Sequence, residues 1–273
     1  MTTTSTAHPR LHVEDTGGSG RPVVLIHGWP LSAASWEAQV PALKAAGYRV
    51  TAYDRRGFGR SEKPESGYDY DTLTSDLTHL INELDLRDAT LVGFSMGGGE
   101  VARYISQQGQ DRLRSVVFAS AVPPYLMKTE DNPEGPLEPA KAKEKEEALR
   151  ADRPAFFDGF TRDFFSAKGV LKVTEAQRQD AIAVCLQSGE AAALGCMKAF
   201  ATTDFREDLK AITVPSLVLH GDSDGTVPFE GSGKRTHKAL AGSELVVLKD
   251  APHGCNVSHA DAFNAALLDF LER

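Results

Sequence analysis

The sequence is short of cysteine, of long apolar runs and of positive charge, and each shortage excludes a class of protein. Its three cysteines, Cys185, Cys196 and Cys255, are odd in number and form no CxxC pair. That is a poor framework for disulfides or a thiolate metal site, and it fits a reducing cytoplasm. No run of about 20 apolar residues is available to cross a bilayer. Residues Met1 to Thr6 lack the positive start and apolar stretch of a secretory signal, so the expectation is a cytoplasmic chain without a membrane partner. The 30 Lys and Arg against 38 Asp and Glu leave a formal charge of -8. That balance disfavours attraction to phosphate backbones, and nucleic acid is not an expected partner. No two histidines have the HExxH spacing of a zinc site, and no internal repeat or low-complexity tract is found.

What is there is globular. A hydrophobic fraction of 41% and a charged fraction of 25% over 273 residues are enough for one sizeable core. Short, continuously apolar runs recur at Val23 to Ile26, Val50 to Tyr53, Thr90 to Phe94, Val116 to Ala119, Ser216 to Leu219 and Leu245 to Leu248. Runs that do not alternate suit parallel strands covered on both faces. Stretches of helical spacing lie between them, at Trp36 to Ala46, Leu73 to Leu84, Val101 to Gln108 and His259 to Leu271. The fold class is therefore α/β, with a mostly parallel central sheet flanked by helices and an antiparallel edge strand around Leu11 to Val13. After Ser120 the alternation stops for 93 residues, far more than one crossover helix needs. The segment reads as a helical lid of about 122–204, with helices near Pro139 to Arg150, Pro154 to Phe165 and Glu175 to Phe200. The core is then about 1–121 and 205–273 of a single domain spanning 1–273.

Chemistry enters at Gly93-Phe94-Ser95-Met96-Gly97. The five residues follow a strand and precede a helix, the context in which a G-x-S-x-G pattern presents a serine on a sharp turn at the carboxyl edge of a sheet. A serine hydroxyl needs a base to take its proton. Of eight histidines, His253 is the best placed, because it follows the last strand in a loop that returns to the same edge. His259 reads as a helix cap, and His27 and His220 as strand-end residues packed against glycines. For the acid, Asp222 and Asp224 both satisfy the serine, acid, histidine order. Asp224 is favoured, since it lies further past the strand end and reaches the His253 loop, whereas Asp222 suits an Asx turn. An oxyanion hole needs one N–H from the residue after the nucleophile, Met96, and one from His27-Gly28-Trp29-Pro30. Trp29 is the candidate there, because Pro30 has no N–H. Val122, Phe160, Phe164, Phe200 and Phe229 are candidates for an apolar acyl and alcohol pocket, and serve equally as packing for the lid.

Four ordered motifs, His27 to Pro30, Tyr53 to Ser61, Gly93 to Gly99 and Asp250 to Gly254, resemble those of the cofactor-free haloperoxidases or perhydrolases and the related aryl esterases. The likeness runs from about Val23 to Leu271 and is loosest through the lid. It implies the α/β-hydrolase fold, with the lid inserted after the sixth strand, and catalytic positions at Ser95, Asp224 and His253 with oxyanion donors at Trp29 and Met96. It also implies small acyl substrates, with hydrogen peroxide as a second substrate, no metal or organic cofactor, and a homo-oligomer. Pro30 matches the residue that members inclined to peracid formation carry, where simple esterases often have leucine. Lactam or amide hydrolysis on the same residues, or a binding protein retaining a hydrolase pocket, are the alternatives.

Overall fold

The computed structural model describes residues 8–273. In chain order the elements are β1 (His12–Asp15), β2 (Pro22–Ile26), α1 (Gln39–Ala45), β3 (Arg49–Asp54), α2 (Tyr70–Glu83), β4 (Ala89–Phe94), α3 (Met96–Gln108), β5 (Leu113–Ala119), α4 (Pro139–Ala151), α5 (Arg153–Phe164), β6 (Ser166–Ala167), β7 (Val170–Leu171), α6 (Glu175–Leu186), α7 (Glu190–Thr202), α8 (Arg206–Lys210), β8 (Ser216–Gly221), α9 (Gly233–Ala239), β9 (Glu244–Leu248), α10 (Cys255–Ser258) and α11 (Ala260–Glu272). Seven strands form one sheet in the order β1-β3-β2-β4-β5-β8-β9. Only β1 runs antiparallel; every other neighbouring pair is parallel.

The continuously apolar runs are the reason the sheet is covered on both faces. Every residue of β4 and β8 is buried, as are Val23 to Ile26. The chain moves from β2 to β3 on one side and then crosses back to β4 on the other, so right-handed crossovers place α1 and α2 on opposite faces. Accordingly α1 packs with α11, and α2 with α3. That reversal opens a crevice at the carboxyl ends of β2 and β4, where ligands bind in open parallel sheets.

The inserted segment departs from its expected form in three ways. It follows β5, the fifth strand in chain order and not the sixth, because a single strand, β1, precedes β2 among the described residues. The expected helix from Glu175 to Phe200 is two helices. Ser188 Oγ donates to the carbonyl of Cys185 at 2.6 Å and ends α6, and the N–H of Gly189 donates to the carbonyl of Gly57 at 2.8 Å before α7 begins. The third departure is a small hairpin, β6–β7, turned by Lys168 and Gly169, both at positive φ. A lysine-glycine pair between two-residue strands is a turn signal too short to stand out from the surrounding helical pattern.

Candidate active site

The turn between β4 and α3 carries Ser95 in a conformation few residues adopt, φ 55° and ψ −117°. Such strain persists only where the surroundings over-determine it. Here the Ser95 N–H donates to the carbonyl of Ala119 at 2.9 Å, and its carbonyl accepts from Gly98 and Val122 at 3.1 Å each. Glycine is required on both sides. A Cβ on Gly93 would lie 2.5 Å from the carbonyl oxygen of Gly97, and one on Gly97 would lie 2.5 Å from that of Ile26. Tyr70 fastens the first turn of α3 from outside by donating to the carbonyl of Met96 at 3.0 Å.

Ser95 Oγ lies 2.9 Å from His253 Nε2, and His253 Nδ1 lies 2.6 Å from Asp224 Oδ2. A carboxylate only accepts, so Nδ1 carries the proton and Nε2 accepts from the serine hydroxyl. All three side chains are buried. Asp224 Oδ1 accepts from the N–H groups of Thr226 at 2.9 Å and Val227 at 2.7 Å, and His220 Nε2 stands 3.2 Å from Oδ2. Burial works against the Asp224 charge. The His253 partner and the His220 hydrogen bond outweigh it, and hold the carboxyl well below the usual carboxylate range.

Asp222 has a different task from the Asx turn expected of it. Its Oδ1 accepts from the Asp250 N–H at 2.7 Å and the Ser223 hydroxyl at 2.8 Å, tying the ends of β8 and β9 together. The loops carrying Asp224 and His253 are thereby held side by side. His259 sits at the head of α11 without a side-chain cap bond. His220 packs against Gly233, where a Cβ would lie 2.5 Å from its Nδ1.

The loop after β2 comes up against the serine. A Cβ on Gly28 would stand 3.1 Å from the Ser95 Cβ and 2.8 Å from the ring of Phe94. Among the described residues, the N–H groups of Trp29 and Met96 have no protein acceptor. The Trp29 indole N–H is committed instead, donating to the carbonyl of Ala193 on α7 at 2.9 Å. The Trp29 ring meets Phe156, Phe157, Phe160 and Phe200 edge to face at centroid distances of 5.2 to 6.2 Å.

Above the serine lies a cavity of about 900 Å³, lined by Trp29, Ser95 and His253 together with residues of the inserted segment. Of the six residues expected to bind substrate, Val122, Phe160 and Phe200 line it; Pro30, Phe164 and Phe229 do not. Phe164 lies behind the histidine, edge-on to His253 at 5.0 Å, and Phe229 packs on His220 at 5.6 Å. Both rings support histidines where they were expected to wall the pocket. Pro30 is buried in its loop. Residues that sequence reasoning missed are Leu126, Met127, Met197, Thr226 and Val227. Met197 could have been found, because it shares a helix face with Phe200 three residues on. Among the described residues, no cluster of three or more His, Cys, Asp or Glu is arranged to hold a metal ion, and no helix is long and apolar enough to cross a membrane.

A serine on a strand-to-helix turn at the carboxyl edge of a parallel sheet, bonded to a buried histidine that meets a buried aspartate, is the arrangement of an α/β hydrolase. The chain belongs to that family, whose model, described as the alpha/beta hydrolase fold, matches residues 21–179. Within the family, the chain is 42% identical over 263 residues to a non-heme chloroperoxidase of Kitasatospora aureofaciens, with 94% of each chain covered. It is 36% identical over 261 residues to a bifunctional esterase/perhydrolase of Acinetobacter calcoaceticus, again with 94% of each covered. The crystal structure of a bromoperoxidase from Bacillus anthracis superposes with a TM-score of 0.96 at 54% identity, covering 98% of this chain and 97% of that one.

Proposed function

We propose that the protein is a serine esterase acting on small carboxylic esters through an acyl-enzyme, and that hydrogen peroxide competes with water for the acyl group. The observation that carries this reading is the hydrogen-bonded series Ser95–His253–Asp224, of which Ser95 and His253 line one cavity, with the Trp29 and Met96 N–H groups bonded to no protein acceptor among the described residues. In the proposed cycle Ser95 Oγ bonds to the ester carbonyl carbon while His253 Nε2 takes its proton. Negative charge on the carbonyl oxygen is met by the two N–H groups. The carbon–oxygen bond to the alcohol then breaks, and His253 returns the proton to the departing oxygen. Water or hydrogen peroxide next attacks the acyl carbon, and releases a carboxylic acid or a peracid together with free Ser95. A peracid leaving the site oxidises halide to hypohalous acid and becomes the carboxylic acid.

Residues of about 122–204 act as the lid on a single 1–273 domain in this reading, since they supply Val122, Phe160 and Phe200 to the cavity. Pro30 biases the choice of second substrate. Its ring fixes φ and removes an N–H, which turns the preceding carbonyl toward the site, where it accepts a hydrogen bond from peroxide. The names of the chloroperoxidase and esterase/perhydrolase relatives are consistent with both halves of the cycle.

Fluorophosphonate labelling, p-nitrophenyl acetate hydrolysis, and bromination with acetate, peroxide and bromide test the reading on the same preparations. Ser95→Ala should abolish all three, and Pro30→Leu should lower bromination relative to hydrolysis. Labelling or hydrolysis that persists in Ser95→Ala would overturn the acyl-enzyme reading. An unchanged ratio in Pro30→Leu would overturn the role of the proline.

A further inference from the structure

Arg55 and Glu100 form an ion pair in the interior, 1% and 0% exposed, between the end of β3 and the first turns of α3. Neither residue lines the cavity. A pair with both charges stripped of water adds little net stability, because desolvation offsets the attraction. What the pair grips is the loop beside Ser95. Arg55 Nε donates to Glu100 Oε1 at 2.7 Å, and the Tyr53 hydroxyl donates to Glu100 Oε2 at 3.1 Å. Arg55 Nη2 donates to the carbonyl of His27 at 2.6 Å, and the Arg55 backbone N–H donates to His27 Nε2 at 3.0 Å.

The last of these bonds decides the state of the imidazole. With Nε2 accepting, the ring hydrogen sits on Nδ1, which donates to the carbonyl of Gly28 at 2.8 Å; Arg55 Nη1 stands further from Nδ1, at 3.3 Å, and that shorter bond to the carbonyl directs the ring hydrogen. The opposite tautomer would set two N–H groups against each other. Burial and the Arg55 charge push His27 well below its ordinary pKa, so the ring stays neutral and keeps this arrangement. The Gly28 carbonyl also accepts from the Leu31 N–H at 3.0 Å. That carbonyl and the Trp29 N–H are opposite ends of one planar peptide group, so fixing the oxygen fixes the direction of the N–H.

We propose that His27 is the positioning residue of the oxyanion hole: its ring, held by Arg55 and Glu100, aims the Trp29 N–H through the Gly28 carbonyl. The inference rests on the acyl-enzyme reading above. It assigns a use to a buried charge pair and a buried histidine that the reaction cycle leaves idle. His27 touches no reacting atom; it acts on the barrier through a peptide group whose placement within a few tenths of an ångström sets the strength of one hydrogen bond.

The test compares His27→Leu and His27→Asn with the parent enzyme on p-nitrophenyl acetate, and measures inhibition by phenylboronic acid. The tetrahedral boronate adduct of the serine puts an oxygen where the oxyanion forms. His27→Leu should lower kcat about 10- to 100-fold with KM within about twofold, and weaken boronate inhibition by a similar factor. His27→Asn, whose amide nitrogen can replace Nδ1 as donor to Gly28, should recover most of both. Glu100→Gln reads the same contact from outside the loop, and should show a smaller loss in the same proportion should His27→Leu fail to fold. The inference is overturned if the folded His27 and Glu100 variants keep kcat within threefold, if kcat falls while boronate affinity does not, or if asparagine is no better than leucine. Esterase activity surviving in Ser95→Ala would remove the acyl-enzyme reading and this inference together; an inert Ser95→Ala beside an unimpaired His27→Leu would remove this inference alone.

Discussion

Adding one methyl group at Gly28 should separate two requirements that the site meets together, a closed loop and a firm core. A Cβ there would lie 2.8 Å from Phe94 Cδ1 and 3.1 Å from Ser95 Cβ. Carbon atoms rest at about 3.5–4.0 Å, so the shortfall is about 0.5–1 Å and something has to move. The Phe94 ring has little room. It is packed against Trp36 at 6.0 Å, Phe164 at 6.2 Å and His253 at 5.3 Å between ring centroids, so turning it would press on the histidine. The loop is held too, by the bonds of His27 Nδ1 and the Leu31 N–H to the Gly28 carbonyl, but these few bonds yield before the packed rings do, and a retreat of the loop carries the Trp29 N–H away from the serine. A hydrogen bond of about 2.9 Å stretched to about 3.5 Å is essentially lost. Loss of one oxyanion donor costs about 10²–10³ in kcat, or about 2.7–4 kcal/mol of barrier. The overpacked core costs about 1–3 kcal/mol of stability. Steady-state kinetics of Gly28→Ala on p-nitrophenyl acetate, with a thermal melt of the same sample, should therefore show kcat down at least about 100-fold, KM nearly unchanged and a folded protein. A kcat within threefold of the parent would refute the placement of the Trp29 N–H, because the added methyl group has no room unless the loop moves.

Other consequences follow from burial and charge. Burial pushes the Cys196 and Cys255 thiols up to about 12 and Cys185 further still, so all three should be inert toward Ellman's reagent in the native state and titrate only on unfolding; rapid native labelling would contradict this. The same protection should leave activity unchanged after incubation with millimolar hydrogen peroxide, measured as residual ester hydrolysis. Gly159 lies inside α5, and a Cβ added there would meet nothing within 4 Å; Gly159→Ala should raise stability by about 0.5–1 kcal/mol through the unfolded chain, seen as a melting temperature higher by about 2 °C. Asp224 ionises below its unfolded value of 3.8, so its stabilising share is complete above about pH 4 and disappears as pH falls toward the folded value. The gap in melting temperature between parent and Asp224→Asn should thus be steady from pH 7 to 5 and narrow below about 4, and a gap that widened in acid would reverse the sign.

The layout of the sheet was legible because its strands need both faces covered, and that requirement is written as unbroken apolar runs such as Val23 to Ile26 and Thr90 to Phe94. The serine turn was legible for a similar reason. A backbone with Ser95 at φ 55° tolerates no side chain at Gly93 or Gly97, and such exclusions leave glycines in a fixed pattern. Less was legible where one residue type serves two ends. Phe160 and Phe164 are four apart on α5, yet Phe160 lines the cavity and Phe164 packs on His253, a difference set by what each turn of the helix meets and not by its own sequence. Asp222 and Asp224 differ by two positions in one turn. Which of them meets His253 depends on the Thr226 and Val227 N–H groups that gather one carboxylate inward, and on the Asp250 N–H that draws the other across to β9.

The substrate is harder to read than the chemistry because Trp29 belongs to both. Its backbone lies beside Ser95, while its ring forms a wall of the cavity and is gripped by Phe160 and Phe200 of the inserted segment and by the carbonyl of Ala193. A change in the inserted segment that reshapes the cavity therefore also shifts the residue whose N–H is proposed as an oxyanion donor. Pocket shape and transition-state binding cannot vary independently in this fold. The core side of the loop has a stiff counterweight in His27, Arg55 and Glu100, all of them buried and none exposed to the cavity. The Trp29 ring thus meets the cavity and the inserted segment, while the His27 and Gly28 carbonyls are held from the core side. On the proposed role of His27, that division of labour gives a use to a charge pair of little value to stability behind a loop whose other face is lined with phenylalanine.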